Sequence, residues 1–240
     1  MYVVILVTLF DFCAALLSGP TGFGMSTITT PFLVTFFSVQ EVFLFTGLTH
    51  SIASIWILFF LKKKVQLTLL ALFGFPMVLG SFLGSWISFD VPYDLLMRGM
   101  GAFLILYVFL VRWYMHYKLP ANSVTALIGG FTSGLLAGVF GFSGAIRAIF
   151  LSSFALSHQE YIVMSHILEL IVDSTRSLGY LTHGTRLGPD LYFCLLLSPV
   201  TLVFGAYFVR YLVNRLPEHY FDKFVTTALF LEGIKLMVFG

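Results

Sequence analysis

The stretch SGPTGFGMSTITTPFL at Ser18–Leu33 has a counterpart in AGVFGFSGAIRAIFLS at Ala137–Ser152. Each places a glycine-rich break inside an otherwise apolar run, and the two align without a gap at an offset of 119 residues. The same offset brings Gln40-Glu41 onto Gln159-Glu160. The sequence therefore contains an internal duplication, and both copies carry the interrupted segment.

The composition indicates that this duplicated chain is surrounded by lipid. Hydrophobic residues make up 59% of its 240 residues, and charged residues only 10%, whereas soluble domains carry roughly 25% charged residues. The net charge of +2 is small, and the longest basic run is Lys62–Lys64, so the charge pattern does not favour binding to nucleic acid. We therefore expect an integral membrane protein.

Each copy of the duplication contains five apolar segments. They lie at Tyr2–Leu17, Phe23–Phe37, Val42–Leu61, Val65–Phe89 and Leu95–Tyr114 in the first copy, and at Val124–Ala137, Phe142–Leu156, Tyr161–Leu181, Leu191–Val213 and Tyr220–Phe239 in the second. This pattern predicts an all-α, polytopic transmembrane protein of two repeats that form one integral membrane domain. The predicted repeats are residues 1–118 and 119–240.

The first two segments of each repeat are shorter than the others. Because a helix needs roughly 20 residues to cross the hydrocarbon core, each short pair is expected to form a broken or re-entrant hairpin, followed by three membrane-spanning helices. Non-helical backbone inside a membrane is tolerated only where protein or a water-filled cavity satisfies its polar groups. Paired interrupted segments are the best sequence pointer to the binding site of a transporter. We therefore expect both breaks to line a cavity at mid-membrane.

The number of crossings predicts that the two repeats are inverted. A hairpin returns to its starting side, so three further helices give each repeat an odd number of crossings. Placing Lys62–Lys64 in the cytoplasm puts Asp90 and Asp190 outside, as the positive-inside rule requires, with Arg186 as the exception.

The two glycine-rich breaks, each followed by a Gln-Glu pair, resemble the duplicated motif of the TauE/SafE sulfite exporter family of membrane permeases, which includes toluene sulfonate uptake permeases. The resemblance covers most of the chain through the duplication. It implies a permease of the prokaryotic cell (inner) membrane, without enzyme activity, that transports small sulfur-containing anions such as sulfite or organosulfonates. The particular substrate, the direction of transport and a homo-oligomeric state stay open.

Arg147 is the most specific candidate for contact with such an anion. It follows Gly144 by three residues, at the start of the segment after the second break, where helix amides attract negative charge and a guanidinium offers a planar fork of donors. The alternative is that Arg147 pairs with an acidic neighbour and only stabilises the fold. The predicted substrate-binding residues are Gly22, Gly24, Ser26, Thr27, Gly141, Ser143, Gly144 and Arg147, although the hydroxyl groups among them commonly bond to helix carbonyls instead.

A polar stripe follows the second break. His166, Glu169, Asp173 and Arg176 lie at steps of three, four and three residues, which places them within roughly 80° of one helix face. The first repeat has a counterpart stripe of Thr46, His50 and Ser54, with His50 aligned to Glu169.

Within the stripe, Asp173 and Arg176 are spaced to pair with each other. Glu169 and His166 are then candidates for proton binding, because burial favours a neutral carboxyl group and histidine titrates near neutral pH. We therefore assign His50, His166, Glu169, Asp173 and Arg176 to coupling or gating, with protons as the possible coupling ion. The alternative is a closed salt-bridge network that only holds helices together.

Two other functions are compatible with parts of the sequence, an intramembrane protease and a passive anion channel. The string Gly141-Phe142-Ser143-Gly144 resembles the nucleophile motif of rhomboid intramembrane proteases, with His166 or His183 as the base, but the repeat aligns Ser143 with Gly24, which needs no nucleophile. A passive anion channel also fits the duplication. The sequence has no H-E-x-x-H, cysteine–histidine cluster or Walker A motif, so neither a metal nor another cofactor is expected.

Overall fold

The computed structural model describes residues 2–21, 25–61, 64–114, 119–213 and 218–239, and every regular element within these ranges is an α-helix. The helices are α1 (Tyr2–Thr21), α2 (Met25–Leu33), α3 (Val39–Phe60), α4 (Leu67–Asp90), α5 (Tyr93–Tyr114), α6 (Ser123–Phe140), α7 (Gly144–Leu151), α8 (His158–Thr182), α9 (Pro189–Val213) and α10 (Glu218–Phe239). The predicted all-α fold is confirmed, and each half of the sequence holds five of these helices.

Several helices have the length and apolar character of membrane spans. Within the described ranges, four qualify by length and composition: α3, α4, α6 and residues Tyr93–Leu110 of α5. Large aromatic side chains point outward from them, among them Phe59 and Phe75, which are each 70% exposed. Such a surface suits lipid, so the fold is that of an integral membrane protein.

The second hairpin corrects two expectations. Helix α6 has 18 residues instead of ending at Ala137, because its chain stays helical through Gly138 to Phe140, whereas α7 has only eight. At about 1.5 Å per residue, α7 is roughly 12 Å long and is far too short to cross a membrane alone. The break lies beside the Phe43 ring, in the second turn of α3, while Phe142 packs against Phe103 at mid-length of α5, and its expected mid-membrane position stays a prediction.

Gly141 forms the break by ending α6 in the left-handed conformation, with φ of 77°. Its amide still donates to the Ala137 carbonyl at 2.9 Å, which is a common way for a helix to end at glycine. The first break falls on residues 22–24, so Gly22 and Gly24 lie outside the described residues. Helix α2 follows it with nine residues, from Met25 to Leu33.

Helix packing follows the duplication. Helix α4 packs along α6, and α1, the counterpart of α6, packs along α9, the counterpart of α4. Equivalent helices also pair, α3 with α8 and α5 with α10, and α8 packs against α4 as α3 packs against α9. Exchanging the two halves therefore reproduces the same set of contacts. Equivalent helices are antiparallel, since Thr46 meets Arg176 while Ser54 meets Glu169, and the inversion of the repeats stays a prediction.

Glycines allow α4 and α6 to approach closely. A Cβ atom on Gly134 would overlap the Met77 main chain, and one on Gly138 would overlap the main chain at Ser81. Small residues at such contacts permit tight helix packing in lipid, where hydrophobic attraction between helices is weak. This contact holds α6, and with it the second break, in a fixed position against α4.

Candidate functional site

The stripe predicted on α8 faces α3 inside the protein. Glu169, Asp173 and Arg176 are all buried, and so are the aligned residues His50 and Ser54 on α3. Charged groups at such depth are costly and are usually paired or functional. The structure therefore brings together the two polar faces that the sequence placed on equivalent helices.

Arg176 and Asp173 form a short ion pair. The Arg176 Nε donates to Asp173 Oδ1 at 2.8 Å, and its Nη1 donates to the Phe43 carbonyl at 2.7 Å. The Thr46 hydroxyl lies within 3.5 Å of the same guanidinium. The predicted pairing is confirmed, and its additional contacts with Phe43 and Thr46 tie α8 to the first turns of α3.

Arg147 forms a second and longer ion pair. Its Nη2 lies 3.4 Å from Glu169 Oε1, and its Nε donates to the Ser165 hydroxyl at 3.3 Å. Arg147 is buried, with only 3% of its surface exposed. The structure thus has the acidic partner that the alternative reading of Arg147 required, and contact with a substrate stays a prediction.

The other oxygen of Glu169 belongs to a small polar cluster. Glu169 Oε2 accepts a hydrogen bond from the Ser54 hydroxyl at 3.2 Å and lies 3.1 Å from His166 Nδ1. The His166 side chain is 23% exposed, whereas that of Glu169 is 10% exposed. His166 therefore links the buried carboxylate to a more accessible part of the protein.

His50 lies next to both ion pairs and is 1% exposed. It interacts electrostatically with Glu169 and Arg176, yet neither of its ring nitrogens has a hydrogen-bond partner, and Asp173 Oδ2 also lacks one. An unsatisfied buried polar group costs about 1–3 kcal/mol. Such groups are rare in a purely structural network, so their clustering beside two ion pairs marks this region as a candidate binding site.

The second break approaches the same region from α7. Gly144 begins α7, and the Arg147 amide donates to the Ser143 carbonyl at 3.1 Å. The Thr30 hydroxyl of α2 donates to the Gly141 carbonyl at 3.4 Å, so α2 meets the break of the other repeat. Ser26 and Thr27, also on α2, are buried. Among the predicted binding residues, Arg147 contacts the stripe through its ion pair with Glu169.

The protease alternative gains no support from the described contacts. His166 is engaged with Glu169 and Ser54, and His183 Nδ1 lies 2.9 Å from the Gly179 carbonyl oxygen. Among the described hydrogen bonds, none joins Ser143 to a histidine. The same part of the chain also contains no group of three or more His, Cys, Asp or Glu residues arranged for a metal.

Sequence reasoning missed Ser165 as a partner of Arg147. A signal was present, because the offset of 119 residues aligns Ser165 with Thr46, and each of these hydroxyls contacts an arginine. An apolar groove of about 700 Å³ between α1 and α9 was also not expected. It contains none of the predicted site residues, so it is separate from the polar cluster.

One comparison with known proteins gives a match over most of the chain. A family model described as Sulfite exporter TauE/SafE matches residues 7–236, a range that includes both breaks and the whole polar stripe. No curated protein and no solved structure gives a significant match. Because the match spans almost all of the 240 residues, the chain belongs to the TauE/SafE sulfite exporter family.

Proposed function

We propose that this protein is a secondary carrier for small sulfur-containing anions, such as sulfite or organosulfonates, in a prokaryotic cell membrane, and that it has no enzymatic activity. The observation that carries the proposal is the buried Arg147 guanidinium, held in the first turn of the half-helix α7 beside the second break. A buried cation requires a negative partner, which is Glu169 in the structure, and a substrate anion can supply the same negative charge. Two oxygens of a sulfonate or sulfite group can accept parallel hydrogen bonds from the fork of donors that arginine presents.

The charges around Arg147 are balanced when no substrate anion is bound, which supports a site that can release its anion. Arg147 and Arg176 balance Glu169 and Asp173, so the cluster is neutral while His50 and His166 are neutral. A bound anion then upsets the balance unless a proton enters with it. We infer that His50, His166, Glu169, Asp173 and Arg176 couple or gate transport, with protons as the coupling ion.

The two breaks supply the rest of the proposed anion site. Its members are Gly22, Gly24, Ser26, Thr27, Gly141, Ser143 and Gly144, together with Arg147. The contact between Thr30 and the Gly141 carbonyl supports this, because it shows that the first hairpin reaches the second break. Backbone amides at the start of α2 and α7 would then add to the attraction for an anion.

The architecture that fits this site is a pair of inverted repeats, residues 1–118 and 119–240. The antiparallel contacts of α3 with α8 support the inversion. So do those of α5 with α10, where Gly101 meets Met237 and Ile105 meets Gly233. A two-fold axis that relates antiparallel equivalent helices must lie across them, in the membrane plane.

Inversion predicts opposite locations for two exposed basic residues. Single cysteines at Lys64 and Arg186, in a background without Cys13 and Cys194, should differ in labelling by an impermeant thiol reagent on intact cells. Position 186 should react and position 64 should be protected until the cells are opened, while a cysteine at Asp90 serves as the accessible control. Equal labelling of 64 and 186 would show that the repeats are parallel.

Counterflow tests the proposed transport. Proteoliposomes are loaded with unlabelled sulfite, thiosulfate, sulfate, taurine or toluenesulfonate, and a trace of the same labelled anion is added outside. With the membrane potential held at zero by valinomycin and equal K+ on both sides, a carrier should produce a transient internal accumulation above equilibrium for at least one of these anions, whereas a passive channel should equilibrate without an overshoot. Absence of any uptake above that of protein-free liposomes would reject a role in sulfur-anion transport.

A further inference from the structure

We infer that the carboxylate of Glu169 is a built-in competitor of the transported anion. In the arrangement described, Glu169 occupies the Arg147 guanidinium, and a substrate oxyanion takes its place when Glu169 accepts a proton. The inference rests on the proposed function, because it concerns the same anion site. It goes further by assigning one residue to the exchange between anion and proton.

The two ion pairs of the stripe differ in a way that selects Glu169. Arg176 and Asp173 are joined at 2.8 Å, a normal distance for a charge-assisted hydrogen bond, and Arg176 is further fixed by the Phe43 carbonyl. Arg147 and Glu169 are separated by 3.4 Å, which is longer than a normal charge-assisted hydrogen bond. The Arg176–Asp173 pair should therefore persist during transport, whereas the Arg147–Glu169 pair is the one that a substrate anion can displace.

Glu169 also has partners for its neutral form. Its Oε2 lies against the Ser54 hydroxyl and His166 Nδ1, and either can accept a hydrogen bond from a protonated carboxyl group. The protonated Glu169 side chain therefore keeps a hydrogen-bond partner after it separates from Arg147. The partly exposed His166 provides the route by which the proton arrives from water.

The groups around Glu169 determine the charge balance of the exchange. They are Arg147 from α7, His50 and Ser54 from α3, and Tyr161, His166, Asp173 and Arg176 from α8 itself. Binding of one sulfonate adds one negative charge, and protonation of Glu169 removes one, so the buried cluster stays neutral. The bond between the carboxylate and Arg147 is broken, the sulfonate forms its own bond with Arg147, and one proton moves from water to Glu169.

Toluenesulfonate is a suitable probe because its own charge does not change between pH 5 and pH 8. Its affinity for the purified wild-type protein should weaken by up to about tenfold per pH unit as the pH rises, which is the limit for linkage to one proton. Glu169→Gln should remove this slope and should bind at least about tenfold more tightly than wild type at pH 8. Glu232→Gln, in the partly exposed pair with Lys235 on α10, is the control and should keep the wild-type slope.

A measurement on the wild type alone guards against a variant that does not fold. Calorimetric titration with toluenesulfonate, in two buffers that differ in ionisation enthalpy, should show uptake of about one proton per anion bound. The wild type and the variant are also titrated with sulfite, and there only the ratio of their two affinities at one pH is used. Anion binding without proton uptake, or a Glu169→Gln variant with wild-type affinity and slope, would overturn the inference and leave the proposed anion transport intact. Failure of the wild type to bind any of the anions would instead reject the proposed function, and the inference with it.

Discussion

Replacing Arg176 with glutamine is expected to destabilise the folded protein by about 3–5 kcal/mol, the usual cost of leaving one partner of a buried ion pair alone. Arg176 is fully buried, so water cannot compensate the Asp173 carboxylate. The substitution also removes the donor to the Phe43 carbonyl, which connects α8 with the start of α3. Thermal unfolding of the purified protein in detergent measures the effect.

Two further variants distinguish the cost of an unpaired buried charge from the cost of lost packing. Adding Asp173→Asn to Arg176→Gln should restore a large part of the lost stability, because no buried charge is then left unpaired. Lys235→Ala breaks the more exposed pair with Glu232 and should change stability by no more than about 1 kcal/mol. If Arg176→Gln unfolds at the same temperature as Lys235→Ala, Arg176 does not hold α3 and α8 together.

The distinction between the two arginines shows which interactions a sequence can predict. Asp173 and Arg176 lie three residues apart on one helix, so their pairing follows from helix geometry alone. Arg147 and Glu169 belong to different helices, and their contact depends on how the short helix α7 packs against α8. The sequence could therefore offer an acidic partner for Arg147 only as an alternative, without identifying Glu169.

The fold was predictable where the duplication repeated a signal. Five apolar segments in each half gave the all-α architecture, and the alignment of His50 with Glu169 anticipated that α3 and α8 face each other. The neighbours of the second break were not predictable, because glycines mark where a helix ends but not which parts of other helices that end packs against. These neighbours are set by the packing of α6 on α4, where Gly134 and Gly138 meet the opposing main chain. Such packing is a tertiary contact that the sequence does not reveal.

Replacing Arg147 with alanine is expected to weaken binding of the substrate anion by about ten- to a hundredfold or more. A charge-assisted hydrogen bond contributes roughly 1.5–3 kcal/mol, and each 1.4 kcal/mol corresponds to about a tenfold change in affinity. Arg147→Lys should recover only part of the loss, because lysine keeps the charge but lacks the planar fork. Direct titration of the purified variants with sulfite and toluenesulfonate gives the dissociation constants.

The single substitution has a second effect that must be separated from the first. Without Arg147, the buried Glu169 carboxylate has lost its cation and repels an incoming anion, so part of the lost affinity comes from Glu169. The double variant Arg147→Ala with Glu169→Gln removes both charges and should recover stability, while its affinity stays at least about tenfold below that of Glu169→Gln alone. That remaining difference measures the contact between Arg147 and the anion. If the double variant binds as tightly as Glu169→Gln, Arg147 serves only to neutralise Glu169, and the anion is held by the amides of the two breaks.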